Sequence, residues 1–174
     1  MDTRSPAIDV AERAFTITRW FDAPRERVWQ AWTDPAQLAE WWGPHGFTNP
    51  VADVDVRPSG ELRIVMRSPD GADFPVVGEF LEVEPPSKLV FSDVVGDQAP
   101  PEWRARIDSN RPSSMPGSQL RIVVTVTFEE RDGGTLLSIR NQFDSDEDRD
   151  AIMRDGAVEG WTESLERLET LLAG

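Results

Sequence analysis

The chain has 174 residues, no cysteine, a single histidine and a formal net charge of −14. This composition excludes disulfides, thiol nucleophiles, cysteine zinc sites and histidine-pair metal sites, and we expect no metal and no other cofactor. The excess of acidic residues repels phosphate backbones and anionic lipid surfaces, so neither a nucleic acid nor a membrane is an expected partner.

The first residues contain no apolar signal core, and no stretch approaches the length of a membrane-spanning helix. We therefore expect a cytoplasmic protein, either a monomer or a homodimer. The length fits one domain, which we place over 13–174 behind a flexible N-terminal arm over 1–12.

The domain opens with a strand and two short helices. Alternation of apolar and polar residues predicts the strand over 14–22. Asp22-Ala23-Pro24 then begins a helix, since a proline is tolerated in the first helical turn. This helix runs to about Thr33. A second short helix begins at Asp34 and carries Trp41 and Trp42 on its apolar edge.

The middle of the chain consists of alternating apolar segments joined by turns. These segments predict strands at 48–57, 60–67, 74–84, 88–95, 119–130 and 135–143. Consecutive strands with short turns indicate an antiparallel sheet. The connection over 96–118 is long and rich in proline, which predicts either a mobile surface insertion or a lid over a cavity mouth.

The stretch from Asp144 to Leu172 predicts one long amphipathic helix that covers one face of the sheet. Its first residues are acidic, which suits the positive end of the helix dipole. Gly156 and Gly160 lie one turn apart near its apolar side, and each weakens a helix interior by about 1 kcal/mol relative to alanine. A closely approaching curved sheet, or a ligand cavity between helix and sheet, would account for both glycines.

Several motifs carry a family resemblance. The run from Phe21 to Pro35 resembles the opening of START-like, helix-grip proteins of the SRPBCC superfamily. The continuation from Leu38 to Pro44 is similar to the branch named for the activator of heat-shock protein 90 ATPase. Gly78-Glu79-Phe80, Glu84-Pro85-Pro86 and Gly160-Trp161 agree with that branch.

The resemblance implies an α+β helix-grip fold of the Bet v type. In that fold a curved antiparallel sheet of about six to seven strands wraps around a long C-terminal helix, with two short helices after the first strand. The resemblance also implies an elongated pocket between sheet and helix, in which superfamily members bind lipids, hormones or polyketides.

The sequence therefore favours binding of a small hydrophobic or aromatic molecule in a cavity between the sheet and the C-terminal helix. We assign no catalytic residue. The residues predicted to contact the ligand form an apolar wall and a polar anchor: Trp41, Trp42, Phe80, Met153 and Ala157, with Arg63 or His45.

Two other classes of function stay open. One is an enzyme of the polyketide cyclase or dehydratase type, which uses the same cavity with His45 or a carboxylate as acid or base. Glu79 and Asp93 both alternate with apolar strand residues, so either of them can be a carboxylate that faces the cavity. The other class is a chaperone-type protein-interaction module, which requires an exposed docking patch.

Overall fold

A computed structural model describes residues 6–115 and 117–174 of the chain. The strands over these residues are β1 (Ala7–Ala11), β2 (Ala14–Phe21), β3 (Thr48–Val54), β4 (Glu61–Arg67), β5 (Asp73–Glu84), β6 (Lys88–Val95), β7 (Leu120–Arg131) and β8 (Gly134–Phe143). The helices are α1 (Arg25–Thr33), α2 (Pro35–Trp41), α3 (Pro101–Ser109), α4 (Asp146–Arg154) and α5 (Ala157–Ala173). None of these helices is long and apolar enough to cross a membrane.

The strands pair antiparallel in one curved sheet with the order β1-β2-β8-β7-β6-β5-β4-β3. Alternation along the strands creates one apolar face, and α1, α2 and α5 pack on it. Leu165 and Leu168 of α5 are fully buried in this layer, as Ile17 and Val126 of the sheet are. The predicted α+β helix-grip fold is thus confirmed, with more strands than the sequence predicted.

The additional strand, β1, lies at one edge of the sheet. The prediction of a flexible arm over 1–12 is therefore wrong for Ala7–Ala11, which pair with β2 from Ala7↔Thr18 to Ala11↔Ala14. Backbone hydrogen bonds hold this strand, and its side chains stay mostly exposed, so it shows no burial pattern in the sequence. Residues 1–5 of the predicted arm lie outside the described residues.

The predicted single helix over 144–172 is two helices. α4 ends at Arg154, and Gly156 adopts a left-handed conformation with φ of +93°, which an α-helix does not contain. Met153 and Ala157 keep a four-residue spacing across the break, so the apolar period continues although the helix does not.

Replacement of Gly156 and of Gly160 by alanine is expected to change the free energy of unfolding in opposite directions. Gly156→Ala puts a Cβ on a left-handed backbone, and we expect it to lower the free energy of unfolding by about 1–2 kcal/mol. Gly160 lies inside α5, where a Cβ would meet only Pro44 Cγ at 3.9 Å. Gly160→Ala should therefore raise the free energy of unfolding by about 0.5–1 kcal/mol. Urea denaturation measures both, and equal effects would contradict a helix break at Gly156.

The insertion over 96–118 contains α3, which the sequence did not predict. Pro100 and Pro101 sit at its N-terminus, where proline is compatible with a helix. The insertion is anchored to the rest of the domain: Ile107 is fully buried, and Arg104 Nη1 donates to the carbonyl of Val95 at 2.8 Å. These contacts are tertiary, so the local composition of the segment does not reveal them.

Candidate ligand-binding cavity

A cavity of about 320 Å³ lies between the sheet and the helical layer. Inward-facing residues of β4 to β8 form its sheet side, and the break between α4 and α5 forms its helical side. Gly156, Ala157 and Gly160 leave little side-chain volume on that helical side, which is why the space is not filled. The aromatic residues that line the cavity are Trp42, Phe47, Phe74, Phe91, Trp103 and Trp161.

Asp93 supplies a carboxyl group to the sheet side of this apolar cavity. It lies on β6 between the lining residues Phe91 and Val95, and it pairs across the sheet with Ile122. Burial raises the pKa of the Asp93 carboxyl to about 7, and within 6–115 and 117–174 no charge or hydrogen bond offsets this effect. A carboxyl perturbed in this way inside a cavity is a candidate functional group.

Two neutral polar side chains also line the cavity. Asn141 on β8 is 3 % exposed, and its amide nitrogen has no hydrogen-bond partner among the described residues. Ser164 on α5 is already satisfied, because its hydroxyl donates to the carbonyl of Gly160 at 2.8 Å and accepts from the Gly43 amide at 3.1 Å. Asn141 and Asp93 are therefore the polar groups of this site with bonding capacity left for a ligand.

Asp155 directly follows α4, at the break between α4 and α5, and its side chain contacts two residues of α3. Its carboxylate accepts hydrogen bonds from the indole of Trp103 and from Arg106 Nε, the latter at 2.5 Å. Trp103 also packs edge-on against Phe74, with 5.6 Å between ring centroids. Part of the insertion thus forms a wall of the cavity, whereas Met115, further along the same segment, is 80% exposed.

A cluster of indoles borders the cavity on the side of α1 and α2. Trp42 and Trp161 line the cavity and lie 5.3 Å apart between ring centroids. Trp32 and Trp41 pack behind them at 4.7 Å from each other, and Trp41 donates its N–H to the carbonyl of Ala31. Two of the clustered indoles are therefore in position to respond to a bound molecule.

The apolar residues predicted from the sequence divide between the cavity and the core. Trp42 and Ala157 line the cavity. Trp41 and Phe80 are buried in the hydrophobic core, where Phe80 packs on Phe91 with 6.2 Å between ring centroids, and neither contributes to the lining. Met153 packs against the core from α4 but also lies outside the lining.

The predicted polar anchors lie away from the cavity. Arg63 is exposed on the outer face of β4, because Leu62 and Ile64 occupy the inner face. His45 is exposed and forms a 2.6 Å contact between its Nε2 and the carboxylate of Glu166 on α5. Asn141 and Asp155, which sequence reasoning did not single out, contribute polar groups instead.

A curved antiparallel sheet that holds a C-terminal helix over a cavity defines the helix-grip class of α+β proteins. Within this class, the chain belongs to the family of Activator of Hsp90 ATPase homolog 1-like proteins, whose family model matches residues 22–173. The resemblance read from the sequence is thereby confirmed.

Solved structures share this fold over nearly the whole chain. A protein from Mycobacterium smegmatis is 29% identical, with a TM-score of 0.77 and coverage of 97% of this chain and 95% of that chain. A protein from Nitrosomonas europaea is 26% identical, with a TM-score of 0.76 and coverage of 95% and 97%, respectively. Comparison with curated proteins gave no match.

Proposed function

We propose that the protein binds a small, largely apolar or aromatic molecule in the cavity between the sheet and α5. The observation that carries this proposal is an unfilled space of about 320 Å³ with an aromatic lining and one uncompensated carboxyl group, that of Asp93. Mostly apolar pockets with a few polar groups are typical of small-molecule sites.

The exposed surface supports the cavity rather than a docking face as the functional site. Among the described residues, the exposed large apolar side chains are Ile8, Val10 and Met115. Ile8 and Val10 lie on the edge strand β1, and Met115 lies in the insertion, so they belong to two separate segments. Scattered apolar side chains of this kind are ordinary on protein surfaces.

Titration with phenylbutanol, a neutral aromatic compound, tests the proposal. We expect a saturable change in tryptophan emission, because Trp42, Trp103 and Trp161 line the cavity and an indole responds to the polarity of its surroundings. Calorimetry on the same samples gives the affinity independently of fluorescence. Native mass spectrometry of protein purified from its own host is expected to reveal a co-purified small molecule. The proposal would be contradicted if neither fluorescence nor calorimetry detected binding and native mass spectrometry showed only the mass of the protein itself.

The raised pKa of Asp93 favours a second candidate, an enzyme of the cyclase or dehydratase type. A carboxyl that titrates near neutral pH is suited to exchange protons with a bound molecule. Incubation with the co-purified molecule or its precursors separates the two candidates. A binding protein returns the molecule unchanged, whereas an enzyme converts it and loses this activity when Asp93 becomes asparagine.

A further inference from the structure

We propose that the cavity selects an apolar or aromatic molecule that carries a protonated amine, and that the carboxylate of Asp93 binds its ammonium group. This inference rests on the proposed function of the cavity as a ligand site. It specifies the chemical class of the ligand from the charges and aromatic faces that surround the space.

The charge balance of the cavity is the first argument. The charged residues that line it are Asp93, Asp155 and Arg106. Arg106 and Asp155 pair with each other at 2.5 Å, so their charges offset one another at the α3 side of the cavity. Asp93 forms no ion pair with any of the described residues, and burial raises its pKa without a compensating charge. A ligand carboxylate would add a second negative charge beside it, whereas an ammonium group would neutralise it.

The lining is the second argument. Indole and phenyl faces attract cations through their quadrupole, and they also bury the apolar body of an organic amine. Trp42 and Phe91 pack against each other at 6.4 Å between ring centroids, and Phe91 is on the same strand face as Asp93. Asn141 also lines this space and adds a neutral amide group to it.

The titration of Asp93 gives the inference a pH signature. Below its pKa of about 7 the carboxyl is protonated and offers no charge to an ammonium group. Above that pH it is ionised, so amine affinity should rise as the pH increases through this value. A neutral alcohol of the same shape should bind with little dependence on pH. The charged groups that face the cavity from other elements, Asp155 and Arg106, are already paired with each other.

The experiment compares three ligands that share a phenylalkyl chain and differ in their polar end group: phenylbutylamine, phenylbutanol and phenylbutyrate. Calorimetry at about pH 8 is expected to show the amine bound at least about tenfold more tightly than the alcohol, and the acid most weakly. Asp93→Asn should equalise the amine and the alcohol. Glu79→Gln is the matched control, because it removes the same charge from an exposed position on β5 and should keep the preference.

A second measurement does not depend on any variant. On lowering the pH from about 8 to about 6, the wild-type affinity for phenylbutylamine should fall about tenfold while that for phenylbutanol stays constant. Equal binding of amine and alcohol in both tests would overturn the amine inference and leave the proposed ligand site intact. Absence of binding by all three compounds would overturn both.

Discussion

Ala157→Trp is expected to abolish binding of phenylbutanol while the protein stays folded. Ala157 is the first residue of α5 and lines the cavity directly after the left-handed Gly156. An indole at this position would fill the space that we assign to the ligand. Because that space is not filled by other side chains, the larger residue avoids most of the strain that overpacking causes in a closed core.

Calorimetry measures the loss of phenylbutanol binding, and urea denaturation of the same sample shows whether the variant stays folded. Thr170→Trp is the matched control, since it adds the same side chain at an exposed position of the same helix. We expect it to leave both binding and stability close to wild type. If Ala157→Trp folds normally and still binds phenylbutanol with full affinity, the ligand site lies elsewhere.

Asp148→Ala is expected to lower the free energy of unfolding by about 3–5 kcal/mol. The side chains of Asp148 and Arg111 are 7% and 3% exposed, and Arg111 Nε donates to Asp148 Oδ1 at 2.8 Å. Removal of the carboxylate leaves a buried guanidinium, and among the described residues the carboxylate still in contact with it is that of Asp108 at 3.5 Å. The pair joins the insertion to α4, so its loss should also speed amide exchange in α3.

Two further variants identify the origin of this penalty. Asp150→Ala removes a neighbouring acid that is 44% exposed and pairs with Arg149, and we expect it to cost less than about 1 kcal/mol. The double replacement of Arg111 by methionine and Asp148 by leucine removes both buried charges. It should cost less than Asp148→Ala alone, because no unpaired charge then remains in the interior. If Asp148→Ala lowers the free energy of unfolding no more than Asp150→Ala does, the buried pair does not hold the insertion in place.

The sequence was a good guide wherever structure depends on neighbours along the chain. Alternation predicted a strand over 119–130, and β7 spans Leu120–Arg131. The second short helix was predicted to begin at Asp34, and this side chain accepts a hydrogen bond from the Ala36 amide at 3.0 Å. Such patterns reflect local periodicity and capping, so they are visible without tertiary contacts.

Three features of the fold were not predicted from the sequence. β1 depends on backbone pairing with β2, and α3 depends on contacts such as the burial of Ile107. The break at Gly156 depends on a backbone angle that does not interrupt the apolar period. Backbone pairing, tertiary contacts and a backbone angle are not properties of a single residue pattern, so the sequence does not encode them directly.

For the candidate site, the sequence by itself determined the family, the helix-grip fold and the presence of an apolar helix face rich in small residues. The tertiary structure decided which carboxyl and which indoles meet in the cavity. Glu79 and Asp93 both alternate with apolar residues, yet Glu79 is exposed on β5 and Asp93 lines the cavity from β6. The physical reason is that alternation separates the two faces of a strand, whereas the packing of helices on the sheet decides which face becomes the interior.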